Sequence, residues 1–299
     1  MEELNINTSY GKIHIYKRGS GEKILFLLHG SGGDNAMLSW WGMMKNFTRE
    51  YTVYAPDLLG YGKSDKPDIQ GEHFYEAHIE ALNEAVEQLD IHVFYLAGLS
   101  MGGAVSIGYA LKYPKKVKAL FPIDSWGVTQ ALPFHIFSYW LIQKTNFTLW
   151  QYKLLGKNKW LTQYMLQYSL IGSKRKITNK LVNEVQKVCQ EENTGKAMQD
   201  FQRSSCDRKS AIPCYVQQLH KLKMPVIFIH GEKDPLVPVK DIFKVVNLCP
   251  KGQIHVLKGC KHWPVRERPE EISMVIQDNT KEKPAERVDQ ILKPATVKT

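Results

Sequence analysis

Apolar positions along the chain follow two patterns. Residues 4–8 and 12–17 alternate polar and apolar on either side of Gly11, which predicts a β-hairpin. Residues 23–28 and 94–99 are instead nearly continuous apolar runs, and further strands are expected at 51–55, 117–123, 225–230 and 253–257. Such runs suit central strands covered on both faces. Helical spacing of apolar residues over 74–90, and a small-residue apolar stretch after residue 100, place helices between these strands. A further helix is expected over 269–278. Strand and helix in alternation predict a doubly wound, mostly parallel sheet. In such sheets functional groups gather at the carboxyl ends of the strands.

The alternation stops between Val128 and Tyr215. That stretch reads as helical and is crowded with aromatics, among them Phe134, Phe137, Trp140, Phe147, Trp150, Trp160 and Tyr164. The expected organisation is a core from 1–127 and 216–278, interrupted by a helical insertion at 128–215. A charged tail with Pro284 and Pro294 follows at 279–299.

Composition narrows the function classes. The chain has 299 residues and is 43% hydrophobic, enough for one large α/β domain with an insertion. No apolar run reaches about 18 residues, so no transmembrane segment is expected. Residues 1–6 lack a basic stretch followed by an apolar one, which argues against a signal peptide and leaves the cytoplasm as the default location. Five cysteines without C-x-x-C spacing suit neither a disulfide framework nor a zinc site. The formal charge is +10, and residues 128–215 hold 13 Lys/Arg against 5 Asp/Glu. No nucleic-acid motif accompanies this charge, so no nucleic-acid partner is expected. The bland reading of the basic segment is a solvated face; the sharper one is weak contact with anionic substrates or an anionic membrane surface.

Candidate chemistry centres on Gly98-Leu99-Ser100-Met101-Gly102, which fits G-x-S-x-G directly after an apolar strand and before a helix. A serine at the tip of so sharp a turn needs small residues two before and two after it. The following helix points unpaired N–H groups at the serine oxygen. A serine hydroxyl is a weak nucleophile and needs a base oriented by a third group. In elbow-bearing chains the order is Ser, acid, His. Asp234 follows the strand at 225–230, and His262 follows the strand at 253–257. Asp124, after the strand at 117–123, is the rival acid.

Together these residues resemble the α/β-hydrolase superfamily from about residue 4 to 278. The resemblance rests on His29-Gly30-Ser31-Gly32-Gly33, Asp57 to Ser64, Gly98 to Gly103, Gly231 to Pro238, and His262 followed by Glu267-Arg268-Pro269-Glu270. It implies Ser100 as nucleophile, His262 as base and Asp234 as orienting acid, some members placing the acid where Asp124 stands. It also implies a helical lid at 128–215 and an oxyanion hole of the Ser31 and Met101 backbone N–H groups. His29 then shapes the oxyanion loop, His230 stabilises the loop of Asp234, and Asp57 fixes its own turn. No H-E-x-x-H, carboxylate cluster or phosphate loop is present, so neither metal nor cofactor is expected.

The reaction expected is hydrolysis of a carboxylic ester of a small or medium acyl or aromatic substrate. The runner-up is a C–C bond hydrolase acting on a vinylogous diketone acid, which His262-Trp263 resembles. That group commonly carries Asn where this chain has Leu99. Arg203 is the candidate contact for such a substrate's carboxylate. Lactonase or cofactor-free haloperoxidase-like chemistry would use the same three residues. Epoxide hydrolases and haloalkane dehalogenases carry Asp in place of Ser100. A ligand sensor on the same scaffold is the alternative from another class.

Overall fold

The structure is a computed structural model, describing residues 1–281 apart from 48, 72, 131–133 and 192. Within these residues the chain forms one eight-stranded sheet in the order β1-β2-β4-β3-β5-β6-β7-β8. The hairpin β1 (Glu2–Thr8) and β2 (Gly11–Arg18) forms one edge, and β2 runs antiparallel to β4 (Tyr51–Pro56). From β4 onward, through β3 (Lys23–Leu28), β5 (Phe94–Leu99), β6 (Val117–Ile123), β7 (Val226–Gly231) and β8 (Gly252–Leu257), neighbours are parallel. All six residues of β4, β5 and β7 are buried. A strand buried on both faces has no polar side to mark, which is why its sequence is a continuous apolar run.

Helices cover both faces. α2 (His73–Gln88) and α3 (Met101–Lys112) pack in one hydrophobic core with the Phe26 and Phe94 side of the sheet. α1 (Ala36–Met44) fills the other core with Trp40, Met43 and Met44, near Leu25, Leu27 and Phe121. α1 lies outside the periodic pattern because Trp40, Met43 and Met44 are all fully buried and its apolar residues form no single stripe. Its start is nonetheless local: the Asn35 side chain accepts the Leu38 N–H at 2.8 Å. α9 (Val239–Val245), with seven residues, is too short to show a period.

Between β6 and β7 the chain leaves the sheet and forms α4 (His135–Lys144), α5 (Phe147–Lys157), α6 (Lys159–Met165), α7 (Asn179–Gln190) and α8 (Thr194–Ser204). It is tied back to the sheet beside His262. Glu267, in the short helix α10 (Pro264–Glu267), accepts the N–H groups of Gly172 and Ser173 at 2.8 and 2.9 Å. The Trp263 N–H donates to the Leu170 carbonyl at 2.9 Å. α11 (Pro269–Asp278) closes the core. Thr280 is still buried, with its hydroxyl against the Tyr51 hydroxyl. Of the expected tail, residues 282–299, with Pro284 and Pro294, lie outside the described residues.

Candidate active site

The strand-to-helix turn after β5 is as tight as its sequence requires. Ser100 has φ 50° and ψ −114°, a conformation that costs a non-glycine residue on the order of 1–3 kcal/mol. The surroundings hold it there: its N–H donates to the Ile123 carbonyl at 2.9 Å, and its own carbonyl accepts from Ala104 and Trp126 at 3.1 Å. A side chain at Gly98 would strike the Gly102 carbonyl, and one at Gly102 would strike the carbonyls of Leu28 and His29. These two glycines let the turn close and press it against the end of β3.

Three sequence-expected side chains meet at this turn. The Ser100 hydroxyl lies 2.9 Å from His262 Nε2, across 162 residues of chain. His262 Nδ1 lies 2.7 Å from Asp234 Oδ2. A carboxylate only accepts, so Nδ1 carries the proton and Nε2 is free to accept from Ser100. The other Asp234 oxygen accepts the N–H groups of Leu236 and Val237 at 2.8 and 3.0 Å. Burial pushes the Asp234 carboxyl up. The electrostatic pull of the His262 ring, its hydrogen bond, the nearby His230 ring and the Val237 N–H outweigh it and hold it below the ordinary range.

Asp124 is not in this line. It is fully buried, and its Oδ1 accepts the Gly231 N–H at 2.7 Å. Burial first, and the nearby Asp234 second, raise its carboxyl well above the usual range. His230 stands between the two acids, 3.3 Å from Asp124 and 3.6 Å from Asp234. Burial lowers the His230 pKa, so Nε2–H of the neutral ring donates to the Val237 carbonyl at 2.7 Å. The polar atoms of Asp124, His230 and Asp234 lie within 4.8 Å of one another. A carboxyl already accepting the Gly231 N–H and an imidazole already donating from Nε2 suit a brace for the Asp234 loop better than a metal site.

The loop after β3 faces the same turn. A side chain at Gly30 would come within 3.5 Å of the Ser100 Cβ. Among the described residues, the backbone N–H groups of Ser31 and Met101 have no acceptor. For Met101 this follows from its place at the first position of α3. His29 is fully buried; its Nε2 accepts the Leu58 N–H at 2.9 Å and its Nδ1 donates to the Gly30 carbonyl at 2.7 Å. Burial drives its pKa down to about 4, so it stays neutral. Asp57 does more than fix its turn: besides the Lys63 N–H at 2.9 Å, it accepts the Ala36 N–H at the start of α1.

Asp34 is the functional neighbour that sequence reasoning missed. It accepts from the Gly30 N–H at 3.0 Å, the Asn35 N–H at 2.8 Å and the Ser39 hydroxyl, which staples the loop carrying Ser31. Burial raises its carboxyl to about 7. The available signal was an Asp-Asn pair closing the glycine-rich run.

Ser100 and His262 open onto a cavity of about 380 Å³. Its walls combine core residues such as Leu99, Trp126 and Trp263 with Ile142, Tyr152 and Met198 of the inserted helices. Among the described lining residues none is Lys or Arg. Arg203 points elsewhere: Nε donates to the Ile142 carbonyl and Nη2 to the Thr145 carbonyl, both at 3.3 Å.

A family model described as alpha/beta hydrolase fold matches residues 23–269. The chain belongs to the α/β-hydrolase fold family. Among curated relatives, this α/β-hydrolase is 28% identical to Lipase 1 of Psychrobacter immobilis, over 83% of this chain and 73% of that one. It is 23% identical to a 2-hydroxy-6-oxo-2,4-heptadienoate hydrolase of Pseudomonas putida, over 87% and 92%. Among solved structures, a meta-cleavage product hydrolase of Pseudomonas fluorescens superposes with a TM-score of 0.74 at 18% identity. That match covers 92% of this chain and 96% of that one. The fold is therefore that of a hydrolase family whose members bearing these names cleave different bonds.

Proposed function

We propose that this α/β-hydrolase cleaves carboxylic esters of small or medium, uncharged acyl or aromatic groups through an acyl-enzyme on Ser100. The observation that carries the reading is the hydrogen-bonded line Asp234–His262–Ser100 ending in an apolar cavity. His262 Nε2 takes the Ser100 proton as Oγ adds to the ester carbonyl carbon. The N–H groups of Ser31 and Met101 receive the developing oxyanion, each such donor contributing about 3 kcal/mol. Collapse of the adduct expels the alcohol, which takes its proton from His262. A water molecule then gives its proton to His262, adds to the acyl carbon and releases the acid, restoring Ser100. Residues 128–215 serve as the lid over this chemistry.

The cavity favours an ester over a diketone acid. An anionic substrate buried without a cation forfeits its hydration with no compensating charge. Among the described residues no Lys or Arg lines the walls, Arg203 is engaged by two backbone carbonyls, and Leu99 stands in place of the Asn common to C–C hydrolases. The volume suits a medium acyl chain. The test is a p-nitrophenyl ester panel from acetate to decanoate, run beside a 2-hydroxy-6-oxo-dienoate, with Ser100→Ala as control. Turnover of esters by the parent chain alone is expected. Cleavage of the dienoate with no ester turnover would refute the reading in favour of the C–C hydrolase. Saturable ligand binding without any turnover would refute it in favour of a sensor.

A further inference from the structure

The inserted helices have two unlike sides. Ile142 of α4, Tyr152 and Leu155 of α5 and Met165 of α6 line the cavity. On the same helices, large apolar side chains stand in solvent. Phe137 is 71% exposed, Trp150 59% and Trp160 71%, and just before α4 Phe134 reaches 88%. None of the residues of α4 is buried, although it carries Ile136, Phe137 and Trp140. The rings are grouped rather than scattered. Phe147 and Trp150 lie 5.9 Å apart, while Trp160, Tyr164 and Tyr168 form a near-parallel stack with centroids 5.8 and 5.9 Å apart. Grouped exposed apolar surface marks a contact with something else.

The charge around these rings says with what. Residues 134–190 contain nine Lys/Arg and one Asp/Glu. Lys144 places its ammonium 5.8 Å from the Trp140 ring centre. Lys157 closes α5 and Lys159 opens α6, so two further lysines stand at the junction between the helix of Trp150 and the helix of Trp160. Among the described residues, Lys144, Lys153, Lys157, Lys159 and the basic run 174–176 have no carboxylate partner. A second copy of the chain would bring the same positive face against itself. Single-stranded nucleic acid would stack on the rings but leave Ile136 and other aliphatic surface uncovered. Aromatic rings seated at a headgroup layer, with lysines reaching its phosphates, satisfy both features.

We propose that the exposed aromatic, basic face of α4, α5 and α6 docks on an anionic phospholipid bilayer. It lies in the interface, since among the described residues no helix is long and apolar enough to cross a membrane. The cavity behind these helices then takes its substrate from the lipid phase. The surface proposal stands whichever bond the site cleaves, because its readout is binding.

The test is flotation of the full chain with vesicles of phosphatidylglycerol and phosphatidylcholine in equal parts, against phosphatidylcholine alone. Flotation with the anionic vesicles only, weakening as salt rises and accompanied by a blue shift of tryptophan emission, is expected. The double variant Trp150→Ser, Trp160→Ser lowers the bound fraction about tenfold, and Lys157→Glu, Lys159→Glu does the same by charge. Both pairs lie outside the cavity and retain the parent's turnover of soluble p-nitrophenyl acetate and its thermal midpoint. Absence of flotation, flotation undiminished in both variants, a concentration-dependent dimer in its place, or tighter retention of a single-stranded oligonucleotide would each overturn the proposal. Loss of ester turnover with flotation intact would overturn only the reading of the site.

Discussion

Replacing Asp234 by Asn separates the two acids near His262, and its outcome follows from four distances. The N–H groups of Leu236 and Val237 converge on Asp234 Oδ1 at 2.8 and 3.0 Å, so in the variant they hold the amide oxygen in that position. The amide NH2 is then left facing His262 Nδ1, where the carboxylate oxygen stood at 2.7 Å. Two donors cannot face each other, so the imidazole proton moves to Nε2. Nε2, 2.9 Å from the Ser100 hydroxyl, then donates where it has to accept. The base is lost without any group moving. A tautomer reversal of this kind lowers kcat about 10⁴-fold, equivalent to about 5.5 kcal/mol of barrier. Asp124→Asn is the control. Its carboxyl gives one oxygen to the Gly231 N–H, which an amide oxygen reproduces, so kcat changes by less than about fivefold. The assay is kcat/KM on p-nitrophenyl butyrate, with urea melts to establish that both variants fold. Retention of a tenth or more of the activity by Asp234→Asn, or an equal loss in Asp124→Asn, would refute the assignment.

Further outcomes follow from the same contacts. Ser100→Ala abolishes ester turnover, by at least about 10⁴-fold, while leaving binding of a non-hydrolysable ester analogue within about threefold; measurable acyl transfer by this variant would exclude Ser100 as nucleophile. Gly102→Ala forces a methyl group against the Leu28 and His29 carbonyls, backbone atoms that cannot swing aside, and costs about 3 kcal/mol; a thermal midpoint within about 1 °C of the parent would contradict the close approach. Acid destabilises the fold through His29 and His78, whose burial lowers them to about 4 and about 3 from an ordinary 6.5. Above pH 6.5 they are neutral folded or unfolded. As pH falls below 6.5 the unfolded chain takes up protons that the folded one refuses, so stability declines by up to about 1.4 kcal/mol per pH unit per histidine. His78→Leu removes one of these, and its urea-derived stability falls less between pH 7 and 4.5 than the parent's by up to about 2.5 kcal/mol; parallel losses in the two proteins would show that His78 does not titrate in this way.

The sheet and the reactive turn were legible in the sequence because both are dictated by near neighbours. A strand buried on two faces has to be largely apolar, as β4, β5 and β7 are. A serine at φ 50° has to be flanked by residues small enough to let the chain fold over itself, as Gly98 and Gly102 are. Once that turn was recognised, the order of acid and histidine after later strands pointed to Asp234 and His262. The structure brings both to Ser100 and leaves Asp124 behind the Gly231 N–H. α1 and α9 were not legible, one being apolar without a stripe and the other shorter than two turns to any useful extent.

What lay beyond the sequence is the shape and polarity of the space above Ser100. Sequence alone makes Arg203 a candidate carboxylate contact, and its direction is decided by the Ile142 and Thr145 carbonyls it meets. The aromatics of residues 128–215 read alike along the chain. Only their packing divides Tyr152, on the cavity, from Trp150 and Trp160, in solvent. The physical reason is the range of the forces involved. Backbone conformation and burial on a sheet are set by residues a few positions away, so the strands and the tight turn at Ser100 are legible in the sequence by itself. A cavity is the gap left between segments far apart in the chain, so which molecule fits it is decided only when the inserted helices and the sheet come together.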